Sequence, residues 1–169
     1  MVTERERFFN TLVKDYSERL YWHVRSMVGT HEDADDLVQD IFTKAWLALP
    51  SFRGDSSAFT WLWRIATNTS LNFLRRKKLR ELFSPSGVEI NEDLSAGESA
   101  TVAGDVAQRL FTSGLATLPD KQRAVFCMRY YEELSYEEIS AITGTSVGAL
   151  KASYHIAQEK LKKIIGAAV

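Results

Sequence analysis

Residues 59–78 read FTWLWRIATNTSLNFLRRKK, a stretch that begins aromatic and ends basic within a single predicted helix. At helical spacing Leu62, Ile65, Thr69 and Phe73 share one side, which can pack inward. Trp61, Arg64, Asn68, Asn72, Arg75 and Lys78 follow one another along the other side. An indole, a guanidinium, two amides and two further cations suit a nucleic-acid strand. The ring stacks on an unpaired base, the amides hydrogen-bond, and the cations hold phosphates. An amphipathic core helix with a solvated basic end would have the same composition, so the assignment needs a second signal elsewhere in the chain.

Upstream, residues 52–57 supply a turn and an N-cap for this helix. Before them, Thr30 caps a predicted helix that Pro50 stops, with Glu32, Asp33, Asp35 and Asp36 near its positive N-terminal end. Its inward stripe is Ala34, Leu37, Val38, Ile41, Ala45 and Ala48, while Asp35, Gln39, Phe42 and Trp46 fall on a different side. Residues 4–28 form the first helix, from Phe9, Leu12, Val13, Tyr16, Leu20, Val24 and Met27, and Gly29 ends it. Together these helices make one all-helical domain over residues 1–82.

Downstream, residues 84–104 carry Ser, Gly, Pro and acidic side chains without a sustained period, so residues 83–105 read as a flexible acidic linker. A second all-helical domain occupies residues 106–169. Leu118-Pro119-Asp120 starts a helix with proline in its first turn, and Glu132-Glu133 marks a short break. Ser135 and Glu138 form a capping box for the next helix, which turns Ile139 and Ile142 inward. Gly144 allows a tight turn, and Ser146 caps a final helix with Val147, Leu150, Tyr154, Ala157, Leu161 and Ile164 inward. Two helices joined by a short glycine turn, the second long and exposed on one side, follow the helix-turn-helix plan. This is the second DNA-type signal.

Composition sets further bounds. The chain has 169 residues, 45% hydrophobic and 11% aromatic, enough for a packed core. Its net charge of −1 conceals a division. Residues 1–80 hold 13 Lys and Arg against 10 Asp and Glu; residues 81–105 hold six acidic residues and no basic ones; residues 106–169 hold eight basic and six acidic. A free-standing DNA binder usually carries more positive charge, since phosphate neutralisation supplies most of its affinity. DNA binding here is therefore expected to be assisted. Cys127, the single cysteine, lies in the apolar run AVFCM and reads as a buried hydrophobe that cannot form an internal disulfide. The charged start MVTERERFFN and the lack of a long apolar run predict a cytoplasmic protein. His23, His31 and His155 show no metal spacing with one another or with Cys127, so neither a metal nor a cofactor is expected.

Two blocks of sequence then resemble a known family. DADDLVQDIFTKAW, FRGDSSAFTWLWRIATN and NFLRRKK resemble the first conserved domain of bacterial sigma factors of the extracytoplasmic-function (ECF) group. LPDKQRAVFCMRYYEELSYEEISAITGTSVGALKASYHIAQEKL resembles their second domain, in the right order and spacing. The resemblance implies a subunit without chemistry of its own, which binds the RNA polymerase core through its β′ and β subunits, directs it to promoters and helps open the duplex. It implies a first domain that captures the −10 element, a second that reads the −35 element, and an acidic linker near the RNA exit path. It also implies an anti-sigma factor as a partner.

Carried over onto this chain, polymerase contact falls on Asp35, Gln39, Asp40 and Trp46. An exposed Trp46 would need a partner surface to cover it. The −10 and melting candidates are Trp61, Arg64, Asn68, Arg75, Arg76 and Lys78. Trp61 matches the first aromatic of the pair that larger family members use to prop the melted junction. Leu62 stands where the second would be, and Trp63 comes one place later, turned roughly 100° around the helix. Melting is therefore expected to rest on the loop 52–59, which in this family takes an extruded base. The −35 candidates are Lys151, Ala152, His155, Ile156 and Lys163. Their surface departs from the family's basic pattern and suits thymine methyls better than guanine edges.

The competing reading within DNA binding is a helix-turn-helix regulator that does not bind core polymerase; no ligand-sensing or phosphoacceptor pattern accompanies it. A metal-dependent nuclease built on Asp33, Asp35, Asp36 and Asp40 lacks a second cluster to complete a cation shell. A pure interaction module would not need the basic run at residues 75–78.

Overall fold

The computed structural model describes residues 1–84 and 102–167. Seven α-helices make up the described fold: α1 (Glu4–Val28), α2 (His31–Ala48), α3 (Ala58–Phe83), α4 (Val102–Thr117), α5 (Asp120–Tyr130), α6 (Tyr136–Thr143) and α7 (Val147–Gly166). A single 3₁₀ turn, Leu49–Ser51, follows α2. Among the described residues no helix is long and apolar enough to cross a membrane.

Local chemistry sets the helix ends. The hydroxyls of Thr30, Ser57, Ser135 and Ser146 each accept a backbone N–H three residues on. Ser135 and Glu138 complete the capping box expected from sequence, and Thr3 and Glu6 make another at α1. Gly29 and Gly144 close α1 and α6 in the left-handed region, with φ of 85° and 73°. Pro119 is the N-cap residue of α5, one place outside the helix rather than in its first turn. The expected linker, residues 83–105, lies mostly outside the described residues. At its edges the helices reach further in than expected: α3 runs through Phe83, and α4 begins at Val102.

The two halves share a core. Leu20, Val24, Met27, Ile41, Leu62, Trp63 and Ala66 from the first half cluster with Val125, Met128, Leu134, Ile139 and Leu150 from the second. Helices α1 and α3 provide the first half's surface and α5 and α6 the second's. A smaller cluster, Leu115, Leu118, Phe126, Ala157 and Leu161, holds α4, α5 and α7 together. Gly114 is where α4 and α7 come close: a Cβ there would meet Leu161 Cδ2 at 2.8 Å.

This shared core explains a departure on α3. The sequence assigned it one inward side, of which Leu62 and Thr69 are buried and Ile65 and Phe73 half-buried. A second row, Trp63, Thr67, Ser70 and Leu74, is buried as well. A helix buried along two rows shows no single stripe, so its pattern in sequence is incomplete.

Candidate functional site

The sequence-derived residues fall on three surfaces. On α2, Asp35, Gln39 and Asp40 are exposed, along the edge away from Ala34, Leu37 and Ile41. Asp40 forms an i,i+4 ion pair with Lys44 at 2.9 Å, and Asp33 pairs with Lys77 of α3 at 3.3 Å. Asp33 and Asp40 therefore have cationic neighbours, and among the described residues no group of His, Cys, Asp or Glu is arranged to hold a metal ion. Trp46 corrects the expectation of an exposed indole. It is half-buried, with the Arg5 guanidinium 4.0 Å from its ring centroid and Phe9 edge-on at 5.2 Å. Arg5 also donates to the Trp46 carbonyl at 2.6 Å. Its cover comes from α1 of the same chain, by contacts 37 and 41 residues away in sequence. It therefore needs no partner to shield it.

On α3, Arg64, Asn68, Arg75, Arg76 and Lys78 are exposed and Trp61 is half-buried against Phe52. A groove between α2 and α3 is lined by Leu37, Phe73 and Leu79 together with Asp40, Lys44, Asn72 and Arg76, so the candidate polymerase and promoter surfaces adjoin. Two of the promoter candidates already have partners in the other half. Arg64 Nε donates to the Ala141 carbonyl at 2.7 Å, and Lys78 Nζ pairs with Asp120 at 2.8 Å. Trp63, one place after the position of the family's second aromatic, is 0% exposed, and its Nε1–H donates to Glu132 Oε1 at 2.9 Å.

Glu132 is the residue that sequence reading missed. Its other oxygen lies 2.7 Å from His23 Nδ1, and His23 Nε2 lies 3.1 Å from the Thr67 hydroxyl. A carboxylate partner requires Nδ1 to be the donor. One side chain from the break after α5 thus joins α1 and α3 through two buried rings. Nearby, the Cys127 thiol points to the Ser26 carbonyl at 3.7 Å, and burial pushes its pKa up to about 12. It behaves as the buried hydrophobe expected from the sequence, but at the contact between halves. The acid–acid pair Glu132-Glu133 offered a faint hint, since a break needs neither side chain to be buried. Glu133 does adopt a positive φ of 54° there.

On α7, Leu150, Ala157 and Leu161 are buried, while Lys151, Ala152, His155, Ile156 and Lys163 are all exposed, Ile156 at 47%. The helical phase read from the sequence is therefore the observed one. Lys151 Nζ stands 5.8 Å from the Tyr136 ring centroid, which keeps it near the start of α6. Behind α7, Phe126 stacks between Tyr130 and Tyr154, at 5.3 Å from each, and supports the hairpin.

Residues 12–80 match the family Sigma-70 region 2, and residues 108–161 match Sigma-70, region 4. The chain is similar to the ECF RNA polymerase sigma-E factor of Escherichia coli strain K12, 34% identical over 167 residues, covering 92% of this chain and 85% of that protein. It is also similar to the ECF RNA polymerase sigma factor SigW of Bacillus subtilis, 30% identical, with 92% and 87% covered. Among solved structures it resembles the sigma factor RpoE of Bartonella quintana, in complex with the anti-sigma factor NepR, with a TM-score of 0.73, 28% identity, and 95% of this chain and 98% of that one covered. It likewise resembles CnrH in complex with the cytosolic domain of CnrY, with a TM-score of 0.71, 27% identity and 97% and 91% covered. With both matched regions in order, and identity and coverage at this level, the chain belongs to the ECF sigma factors of RNA polymerase.

Proposed function

We propose that residues 1–82 carry core-polymerase binding and −10 capture, that residues 83–105 connect, and that residues 106–169 read the −35 element. The observation that carries this division is the pair of exposed surfaces on separate halves: the Asp35–Gln39–Asp40 edge of α2, where Asp40 pairs with Lys44, and the outward face of α7. Carboxylates and an amide on a rigid helix suit a partner's basic helix. Trp46 belongs to this surface as the ring that Arg5 and Phe9 hold in place. On α3, Trp61, Arg64, Asn68, Arg75, Arg76 and Lys78 take the promoter near its start of melting. In the closed arrangement Arg64 and Lys78 must exchange the Ala141 carbonyl and Asp120 for phosphate or base. On α7, Ala152, His155 and Ile156 face the major groove, with Lys151 and Lys163 nearer the phosphates. The partners are the core polymerase β′ and β subunits, promoter DNA and an anti-sigma factor, the last by likeness to RpoE, whose structure contains one. The chain acts in the cytoplasm and performs no reaction itself.

The test is binding to purified core polymerase, followed by transcription from a promoter selected with the reconstituted holoenzyme. Asp35→Ala with Gln39→Ala should weaken core binding about tenfold or more, since hydrogen bonds to charged groups contribute ~1.5–3 kcal/mol. Melting should remain at the wild-type temperature, because both side chains are exposed. Tight, sequence-specific DNA binding without core polymerase would favour the regulator reading instead.

A further inference from the structure

In the run 61–63 at the start of α3, Trp61 is the accessible aromatic side chain for an open promoter. Leu62 and Trp63 are both 0% exposed, and the Trp63 N–H is committed to Glu132. Trp61 nevertheless has aromatic company from outside α3. The Phe52 ring, in the turn after Leu49–Ser51, lies 4.8 Å from it at 40°. Phe8, on the second turn of α1, stacks on Phe52 at 5.9 Å and 22°. Three elements thus bring three rings into one row, and the outermost ring, Phe8, is 37% exposed.

We propose that Phe8, Phe52 and Trp61 form a stacking platform for unpaired promoter bases, with Phe8 extending it beyond the loop. The inference rests on the sigma-factor reading and adds a residue of α1 to the strand-opening site. Its physical ground is that an aromatic ring stacked on one face and open to solvent on the other can stack a further planar group. A nucleobase is the occupant that fits its surroundings. The row ends at Trp61, about one helical turn before Arg64 and two before Asn68, and Arg53 stands exposed beside Phe52. Cations for the backbone and rings for the bases are the combination that single strands require. The Gly54 φ of 76° turns the chain directly after Phe52 and Arg53, which lets the loop return to Ser57 and α3.

The experiment uses holoenzyme assembled from the full chain and two DNA probes. One is a duplex promoter selected with the wild-type holoenzyme. The other is a fork junction of the same sequence, whose single-stranded non-template tail carries one 2-aminopurine. Phe8→Leu keeps an apolar side chain without a ring, and Phe8→Trp keeps a ring. Wild type and Phe8→Trp should prefer the fork and quench 2-aminopurine on binding. Phe8→Leu should lose about tenfold in fork affinity, the order expected from one base–aromatic stack, with unchanged core binding and unchanged duplex affinity. If Phe8→Leu matches wild type on the fork and in quenching, the ring serves packing only and the proposal fails. Equal losses on fork and duplex, or a lowered melting temperature that accounts for the loss, would refute it as well. A wild-type holoenzyme that does not prefer the fork overturns the underlying strand-opening reading, and the platform with it.

Discussion

Replacing Glu132 with alanine removes the carboxylate that connects the two halves. Glu132 is 10% exposed and His23 1%, and the Trp63 indole is fully buried. Truncation leaves the Trp63 N–H and the His23 Nδ1–H without an acceptor. Each unsatisfied buried donor costs about 1–3 kcal/mol, so a closed form that stayed packed would lose about 2–6 kcal/mol. A second route limits that loss: if α5 and α6 draw away from α1 and α3, both donors reach water and the cost becomes that of the shared core. Glu132→Gln keeps an acceptor for Trp63 and offers its amide to His23 through the other tautomer, so it should cost only about 1 kcal/mol. At ~2–4 °C per kcal/mol for a chain of this size, Glu132→Ala should melt several degrees lower and Glu132→Gln only slightly lower. The closed population is read at Cys127, whose sulfur lies 3.7 Å from the Ser26 carbonyl across the contact between halves. Its alkylation should be slow while the halves are docked, and Glu132→Ala should speed it. A Glu132→Ala protein that melts and alkylates like its parent would refute the reasoning, because neither donor would then depend on the carboxylate.

Other expectations follow from α7 and from the contact between halves. Ile156→Arg should shift the selected −35 element from A·T toward G·C at one position, whereas Lys163→Ala should weaken all sequences alike and flatten the salt dependence; a promoter library selected with each holoenzyme reads both. The same upstream sequence from wild type and Ile156→Arg would mean that Ile156 does not face the bases. Burial raises the Cys127 pKa to about 12, so the native thiol should alkylate slowly at pH 8 and rapidly in denaturant, as mass spectrometry would show. By linkage this group's contribution to stability is complete below the ordinary thiol pKa of about 8.5 and is lost as pH rises toward the folded value. Denaturation midpoints should therefore fall on the alkaline side in wild type more than in Cys127→Ala.

The division between sequence and tertiary structure follows the distance along the chain over which each interaction acts. Caps and stops work across three or four residues: Thr30 to Asp33, Ser135 to Glu138, Gly144 to Ser140. Their side chains are therefore readable wherever they occur, and so are the inward stripes of α2 and α7, which bury one side each. From these the all-helical class, the helix-turn-helix and the exposed face of Lys151, Ala152, His155, Ile156 and Lys163 could be placed from the amino acids alone. No local rule, by contrast, brings Glu132 to His23 and Trp63 across 109 and 69 residues, or Arg5 to Trp46 across 41. The Glu132 contacts exist because two half-bundles dock and the Arg5 contact because α1 packs on α2, and both depend on the summed shape of several helices. The same docking buries a second row of α3 and turns Trp63 from a stray aromatic into a hydrogen-bonded core residue, while packing within the first half brings Phe8 to Phe52 and Phe52 to Trp61. What periodicity identifies is the face that a helix turns away from water; which other face covers it is settled only when all the helices pack together.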